Sequence, residues 1–197
     1  MLQPVPYALQ YSRKITDYGK NIFVTNLSAN CLIEYNIQIE RMRKMKIERF
    51  MKGSFVVIGK EGATTDGDGF IQRLWDEANS HFDEVQHLAK RDQNGSISGI
   101  WGAMTDFSRN FNPWENFSNG LYLAGVECSD DAEAPVGWTK WVIPGYEYIY
   151  AERENDSSFL EVIKYLEEND IPLAGAVHDF TCPQTGKGYM FFPIEKL

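Results

Sequence analysis

A short segment of the chain occurs twice, and this repetition limits the folds that the sequence can adopt. Residues 102–107 read GAMTDF and residues 175–180 read GAVHDF, so four of six positions are identical at a spacing of 73 residues. Each copy follows a predicted helix and precedes a predicted hairpin strand. The repetition therefore predicts two half-domains, neither able to bury its sheet face alone, which close around a shared core.

Hydrophobic periodicity gives each half the order strand, helix, strand, strand. Apolar residues at spacings of three and four predict a helix from Thr65 to about Ala89, with Thr65 and Asp68 at its cap. A Ser158–Glu161 capping box begins a second predicted helix, which ends at Ile171-Pro172. The predicted strands are 33–40, 44–50, 55–58, 97–107, 121–127, 138–152 with a break at 144–145, 173–181 and 188–195. Because each helix is followed by two adjacent strands, this order predicts an α+β fold with an antiparallel sheet.

Charge divides the chain at Lys60. The first 60 residues carry ten basic and four acidic side chains, whereas the remaining residues carry nine basic and 24 acidic ones. An acidic body of net charge −15 repels nucleic acid and attracts cations. The basic leader, in which Arg41, Arg43, Lys44 and Lys46 lie together, is interpreted as a solvated strand or an old linker, with phosphate contact as the alternative.

Composition and motifs exclude several classes of protein. A hydrophobic fraction of 43% excludes a disordered chain, and no apolar run approaches the length of a membrane span. Cys31, Cys128 and Cys182 lie far apart and no signal peptide precedes them, which is typical of reduced thiols in the cytoplasm. The sequence has no metal-ligand spacing, phosphate-binding loop or serine-hydrolase motif, so we expect no metal and no cofactor.

Aromatic and acidic residues cluster on the predicted strands. Alternate strand residues share a face, so Gly175, Val177 and Asp179 point together, as do Gly125 and Glu127. A carboxylate among apolar side chains is costly unless it is paired or hydrated. Surrounding rings would stabilise a lipophilic cation by about 0.5–2 kcal/mol each, and the glycines leave room beside the acids. The alternative is that the rings form the core, Asp106 and Asp179 cap turns, and Glu127 is solvated.

Several short segments together resemble the effector-binding domain of AraC/XylS-type regulators, the GyrI-like family. The resemblance covers residues 33–197, and its segments are 35–40, 55–59, 74–77, 122–127, 143–144 followed by Tyr148, 175–179 and 192–194. It implies two pseudo-symmetric β-α-β-β halves that form a curved antiparallel sheet with two helices and a central ligand cavity. Residues 31–197 would form this domain, with halves at about 53–128 and 138–197. Residues 1–30 resemble the linker that follows a helix-turn-helix.

The same resemblance implies that hydrophobic, often cationic small molecules are bound by aromatic rings and a buried acid. In many relatives the acid is a glutamate that follows the histidine of a Gly-Ala-Val-His stretch. Here this position is Asp179, one methylene shorter, which leaves Glu127 as a second candidate for the anchor. The predicted ligand-binding residues are Asp179, Glu127, Trp101, Tyr148, Tyr122, Phe191, Trp75 and Trp138.

The sequence thus predicts a cytoplasmic module that binds a lipophilic cation, either as the sensing part of a transcription regulator or as a stand-alone sequestering protein. We expect no catalytic residue, no sequence-specific contact with nucleic acid by this chain and no membrane partner, and a homodimer is left open. Two alternatives remain. In a GyrI-like hydrolase, Asp179 or Glu127 would activate water against an electrophile. In an inhibitor that mimics DNA, the acidic surface would bind a protein such as topoisomerase.

Overall fold

The computed structural model describes residues 45–197, which form eight strands and two α-helices. The predicted strand at 33–40 and the N-terminal segment 1–30 lie outside the described residues. The elements are β1 Ile47–Lys52, β2 Phe55–Ala63, α1 Phe70–Ser80, β3 Ile100–Thr105, β4 Leu121–Cys128, β5 Thr139–Ile143, β6 Tyr146–Glu152, α2 Ser158–Glu168, β7 His178–Thr181 and β8 Gly188–Lys196.

All eight strands form one antiparallel sheet in the order β1-β6-β8-β7-β3-β4-β2-β5. The halves β2-α1-β3-β4 and β6-α2-β7-β8 extend in mirror order from the central β3–β7 pair. The α+β fold predicted from the sequence is therefore confirmed. The structure adds an exchange of edge strands, because β1 precedes the first half but pairs with β6, and β5 precedes the second half but pairs with β2.

Both helices pack on one face of the sheet. The core under α1 includes Met104 and Tyr122, and the core under α2 includes Met190. Directly paired strand residues share a face, and Asp179 lies opposite both Gly102 and Met190, so these side chains are on the same side. We call this side the helix face. The opposite side, which carries Trp101, Leu123, Phe180 and Phe191, is the open face.

The first helix is shorter than its hydrophobic pattern predicts. It ends at Ser80, and a single 3₁₀ turn, Phe82–Glu84, follows in place of the predicted continuation to residue 89. Its N-cap is Gly69, at a φ of 74°, a left-handed conformation that glycine adopts without strain. The predicted cap is therefore wrong.

The second helix begins at Ser158, as the sequence predicts, but its contacts differ from the predicted box. The N-cap is Ser157, whose hydroxyl contacts the Glu161 carboxylate. The hydroxyl of Ser158 instead accepts hydrogen bonds from the backbone N–H groups of Glu154 and Asn155, both at 3.2 Å. The turn before the helix is thus fixed by the residue that the pattern assigns to the cap.

The strand β7 is also shorter than predicted, because the chain before it is held by other partners. The Ala174 N–H donates to the carbonyl of Pro193 at 2.8 Å, and the Ala176 N–H donates to the carbonyl of Phe111 at 3.0 Å. Ladder pairing with β3 begins only at Asp179. The second copy of the repeat therefore lies partly in a connection and partly in a strand.

Candidate functional site

A small cavity lies on the helix face where the two halves meet. Its volume is about 30 Å³, which is space for about two water molecules. Both halves contribute to its walls, through β3, β7, β8, α2 and the loop between β3 and β4. Most of its lining is apolar: Met104, Trp114, Phe117, Phe159, Val177 and Met190. We call it the helix-face cavity.

Asp179 is the carboxylate that lines this cavity. It lies opposite Gly102, where a Cβ would come within 1.9 Å of the hydroxyl oxygen of Tyr122. Since glycine leaves that space free, the hydroxyl of Tyr122 reaches Asp179 and forms a hydrogen bond with it. The same hydroxyl accepts a hydrogen bond from Nε1 of Trp75 at 3.2 Å. Two of the predicted binding residues, Tyr122 and Trp75, thus position the carboxylate rather than line the cavity.

The environment of Asp179 brings its ionisation close to neutral pH. Burial raises its pKa to about 6, while the positive charge of Arg153 and the hydrogen bond from Tyr122 act in the opposite direction. Arg153 also lines the cavity. Burial, followed by the charge of Asp179, raises the pKa of Tyr122, which keeps its hydroxyl proton. At pH 7 the carboxylate is therefore charged, but it lies within about one unit of its midpoint.

His178, next to Asp179, fixes the strand pair that carries the carboxylate. Its side chain is fully buried, and Nδ1 accepts a hydrogen bond from the backbone N–H of Met104 at 3.1 Å. Burial lowers its pKa to about 3, so the imidazole is neutral at pH 7. Its position opposite Phe191 places it on the open face. His178 therefore has a structural role and does not line the helix-face cavity.

The loop between β3 and β4 forms one wall of the cavity. Trp114 donates from Nε1 to the carbonyl of Thr105 at 2.8 Å, and Phe117 packs edge-on against Phe159 at 5.2 Å between centroids. Asp106 accepts the N–H groups of residues 110 and 112 and so holds the start of the loop, the role that the turn alternative predicts. Phe117 has a φ of 54°, which is unfavourable for a non-glycine residue.

Glu127 does not line the cavity that holds Asp179. It lies on the open face, where Nζ of Lys52 is 2.9 Å and Nζ of Lys90 is 3.6 Å from Oε1. Trp101 donates to its other oxygen at 3.2 Å. Glu127, Trp101 and Phe191 line a separate cavity of about 370 Å³, the open-face cavity. The expectation that both acids could anchor a ligand in one cavity is therefore corrected.

Gly125 and Gly175 do not leave the room beside the acids that the sequence analysis predicts. A Cβ at Gly125 would meet the carbonyl oxygen of Ile58 at 2.5 Å, and one at Gly175 would meet the Tyr146 hydroxyl at 3.0 Å. These glycines allow close packing of the protein itself and leave no room for a ligand. Of Gly175, Val177 and Asp179, which are predicted to point together, Val177 and Asp179 do line one cavity.

The two remaining predicted residues line neither cavity. Tyr148 is fully buried, and among the described residues its hydroxyl has no hydrogen-bond partner. Trp138 packs under Nζ of Lys60, at 4.5 Å from the ring centroid, and donates from Nε1 to Glu84 at 2.7 Å. Their predicted contact with a ligand stays a prediction, without support from their positions.

Several cavity residues were absent from the sequence prediction. Met104, Met190 and Phe159 have the ordinary pattern of core residues, so no sequence signal separates them from the core. Trp114 and Phe117 did carry a signal, because two large aromatic residues lie in a segment whose proline and asparagines predict a loop. Arg153 could not be assigned, since its approach to Asp179 depends on the pairing of distant strands.

No metal or membrane feature was found in the part of the chain that the structure describes. Within residues 45–197, no three His, Cys, Asp or Glu side chains come together as ligands for an ion. None of the described helices has the length and apolar character needed to cross a bilayer.

Comparison with known proteins identifies relatives by fold alone. No family model matches the sequence, and no curated protein matches it. Among solved structures, SAV2435 bound to tetraphenylphosphonium has a TM-score of 0.54 at 14% identity, over 77% of this chain and 94% of that one. The EcmrR C-terminal domain has a TM-score of 0.54 at 11% identity, over 78% and 99% of the two chains. EcmrR in its complex with DNA has a TM-score of 0.55 at 11% identity, over 95% and 69%.

These similarities show a shared fold. They agree with the fold that the GyrI-like resemblance implies, while the narrower assignment to AraC/XylS-type regulators stays a prediction.

Proposed function

We propose that this chain is a small-molecule-binding module whose helix-face cavity takes a hydrophobic organic cation. The observation that carries the proposal is the position of Asp179: one partly exposed carboxylate in a cavity with mostly apolar walls, at the junction of the two halves. In such surroundings an ion pair is strengthened by the low dielectric, and the neighbouring rings attract a cation. SAV2435, which shares the fold, is known with a lipophilic cation bound, and this supports the choice of ligand class.

The cavity has to expand before it can hold such a ligand. Its volume of about 30 Å³ is well below the roughly 300 Å³ at which ligand cavities begin. Met104 and Met190, which form part of its floor, are flexible and repack at low cost. Phe117 lies in a loop whose backbone is already unfavourable at that residue. We therefore expect binding to proceed by displacement of these side chains, with Asp179 fixed by Tyr122 and His178.

Within this proposal, the module serves as the sensing part of a regulator or as a sequestering protein. EcmrR, whose C-terminal domain shares the fold, is known in a complex with DNA, which supports the regulatory role. The hydrolase alternative uses the same carboxylate, since a pKa of about 6 suits a general base near neutral pH.

The test is a calorimetric titration of the protein with tetraphenylphosphonium at pH 7.5. We expect saturable binding of one cation, weakened about 100-fold by Asp179→Asn, because the substitution leaves the bound cation without its partner. Glu127→Gln is the matched control, a buried acid on the other face, and should change the affinity little. Tetraphenylborate, of the same shape and opposite charge, should not bind at this site.

Equal affinity in the wild-type protein and the Asp179→Asn variant would contradict the proposal. Mass spectrometry of the recovered ligand, and of reactive electrophiles incubated with the protein, tests the hydrolase alternative. Turnover that depends on Asp179 would support hydrolysis, and unchanged compounds would support binding alone.

A further inference from the structure

The helix-face cavity is lined by a positively charged residue of the protein itself, Arg153. Every other side chain that lines it, from β3, β7, β8, α2 and the connecting loops, is uncharged except Asp179. The cavity therefore contains one cationic and one anionic side chain before any ligand enters. A hydrophobic cation that pairs with Asp179 has to approach a residue of its own charge.

Backbone pairing places Arg153 on the same face of the sheet as Asp179. The Arg153 N–H donates to the carbonyl of Gly188 at 2.8 Å, which continues the β6–β8 pairing by one residue after Glu152. Gly188 lies two residues before Met190 on β8, and Met190 lies opposite Asp179. Because alternate residues of a strand share a face, a Cβ at Gly188 would point to the helix face.

Gly188 provides the space that the guanidinium occupies. A Cβ at this position would come within 2.6 Å of Nη2 and 3.1 Å of Cζ of Arg153. The guanidinium therefore lies over the glycine, about 7 Å along β8 from the residue opposite Asp179. On the neighbouring strand β3, Gly102 makes room for the hydroxyl of Tyr122 in the same way. Asp179 thus lies between two polar groups, each of which lies over a glycine.

The charge of Arg153 acts on Asp179 across this distance. Burial raises the pKa of the carboxyl to about 6, and the charge of Arg153 acts against this rise. Tyr122, the other titratable group in contact with the carboxyl, keeps its proton because burial and the charge of Asp179 raise its pKa. A guanidinium that stabilises the carboxylate also repels a second cation that binds beside it.

We propose that Arg153 is an internal competitor of the ligand cation, which balances the charge of Asp179 in the free protein and lowers the affinity of the site. This inference deepens the proposed function and rests on it. The side chain of Arg153 is only partly buried, so it can move toward solvent on its long apolar stem when a ligand enters. Binding then exchanges an intramolecular attraction for the one between Asp179 and the ligand.

The test compares tetraphenylphosphonium binding to the wild-type protein and to Arg153→Met at pH 8.5, well above the pKa of Asp179. Methionine keeps much of the apolar stem and removes the charge, so the cation should bind about tenfold tighter. Arg153→Lys shortens the side chain but keeps the charge, and its affinity should stay within about threefold of the wild-type value. Unchanged or weaker binding by Arg153→Met would overturn the proposal. Equally tight binding by both variants would overturn it too, because the effect would then come from space and not from charge.

The pH profile is a second readout, which a purely structural role of Arg153 would not change. Loss of the positive charge should raise the pKa of Asp179 above about 6 and move the midpoint of cation binding to higher pH by the same amount. Carboxyl-carbon NMR of the ligand-free variants measures this pKa directly. Arg49→Met is the matched control, since Arg49 lies on the same face, pairs with Glu147 at 2.8 Å and does not line the cavity. It should change neither quantity.

The results separate this inference from the function on which it rests. Absence of tetraphenylphosphonium binding in both the wild-type protein and Arg153→Met at pH 8.5 would overturn the proposed function. Binding that depends on Asp179 but is not tightened by Arg153→Met would leave that function in place and overturn the role of Arg153. An unchanged pKa of Asp179 in ligand-free Arg153→Met would also overturn that role, independently of the cation.

Discussion

The helix-face and open-face cavities are formed by alternate residues of the same three central strands. On β7, Asp179 faces one cavity and Phe180 the other, and on β8, Met190 and Phe191 divide in the same way. One cavity is small, at about 30 Å³, and the other is larger, at about 370 Å³. The difference shows that one set of strands can line two unlike cavities, because each strand contributes independently to both faces.

The two acids differ as much as the cavities do. Asp179 has a raised pKa, because burial outweighs the positive charge of Arg153 and the hydrogen bond from Tyr122, whereas Glu127 is paired with Lys52 and Lys90. A carboxylate of the first kind costs stability, and one of the second kind stabilises the fold. This contrast gives three predictions, from the largest expected effect to the smallest.

The same change of acid to amide should have opposite effects on stability at the two positions. Glu127→Gln leaves Lys52 without its charged partner, so the free energy of unfolding should fall by about 2–3 kcal/mol. Asp179→Asn should raise it at pH 7.5 by roughly 1–3 kcal/mol, because the folded pKa of about 6 lies above the unfolded value of 3.8 and ionisation disfavours the folded state. Urea denaturation of both variants measures these changes.

The sign of the Asp179 effect provides its own control. Ionisation of the unfolded chain begins near its ordinary pKa, so the stability gained by Asp179→Asn should grow as the pH rises from about 4 to 6 and be absent below that range. A gain that is independent of pH, or destabilisation by both substitutions at pH 7.5, would show that the two acids are not distinct in the way described.

Binding of the cation should depend on pH. Protonation of Asp179 removes the charge that pairs with the cation, so the affinity for tetraphenylphosphonium should fall about tenfold between pH 7.5 and pH 5, with a midpoint near 6. Calorimetric titrations at several pH values measure the affinity.

The Asp179→Asn variant is the control, since any remaining cation binding in it should be independent of pH. An affinity that does not change with pH in the wild-type protein would contradict the role of Asp179.

Substitutions of aromatic residues at the two cavities should affect cation association differently, although this effect is smaller. Phe117 lines the helix-face cavity and packs against Phe159, so Phe117→Ala should speed association of the cation by a few-fold. Phe50 is 45% exposed at the edge of the open-face cavity, so Phe50→Ala is the control and should leave this rate unchanged. Stopped-flow tryptophan fluorescence gives the rate in both variants, and a slower association in Phe117→Ala would mean that the loop guides entry.

Much of the fold could be predicted from local sequence signals. The repeated GAMTDF and GAVHDF segments indicate two equivalent halves, and the break at residues 144–145 separates β5 from β6 as the pattern predicts. The exchange of edge strands could not be predicted, because β1 and β5 carry the same alternation whichever strand they pair with. The length of α1 was overestimated because an apolar stripe continues after Ser80, where the chain forms a 3₁₀ turn and further turns instead of a continuous α-helix.

The site was predictable only within each strand. Alternation correctly places Val177 with Asp179, but it does not say on which side of the sheet that pair lies relative to Glu127. This depends on register across three strands, in which Asp179 lies opposite Gly102 and Trp101 lies opposite Gly125. The same limitation hid Lys52, whose place in the basic leader was interpreted as solvated.

Titration of tetraphenylphosphonium into the wild-type protein and into the Asp179→Asn and Glu127→Gln variants tests the central claim, a cation site at Asp179 on the helix face, most directly. The account predicts binding about 100-fold weaker in Asp179→Asn and little changed in Glu127→Gln. Loss of binding in Glu127→Gln, with the wild-type affinity kept in Asp179→Asn, would contradict the account.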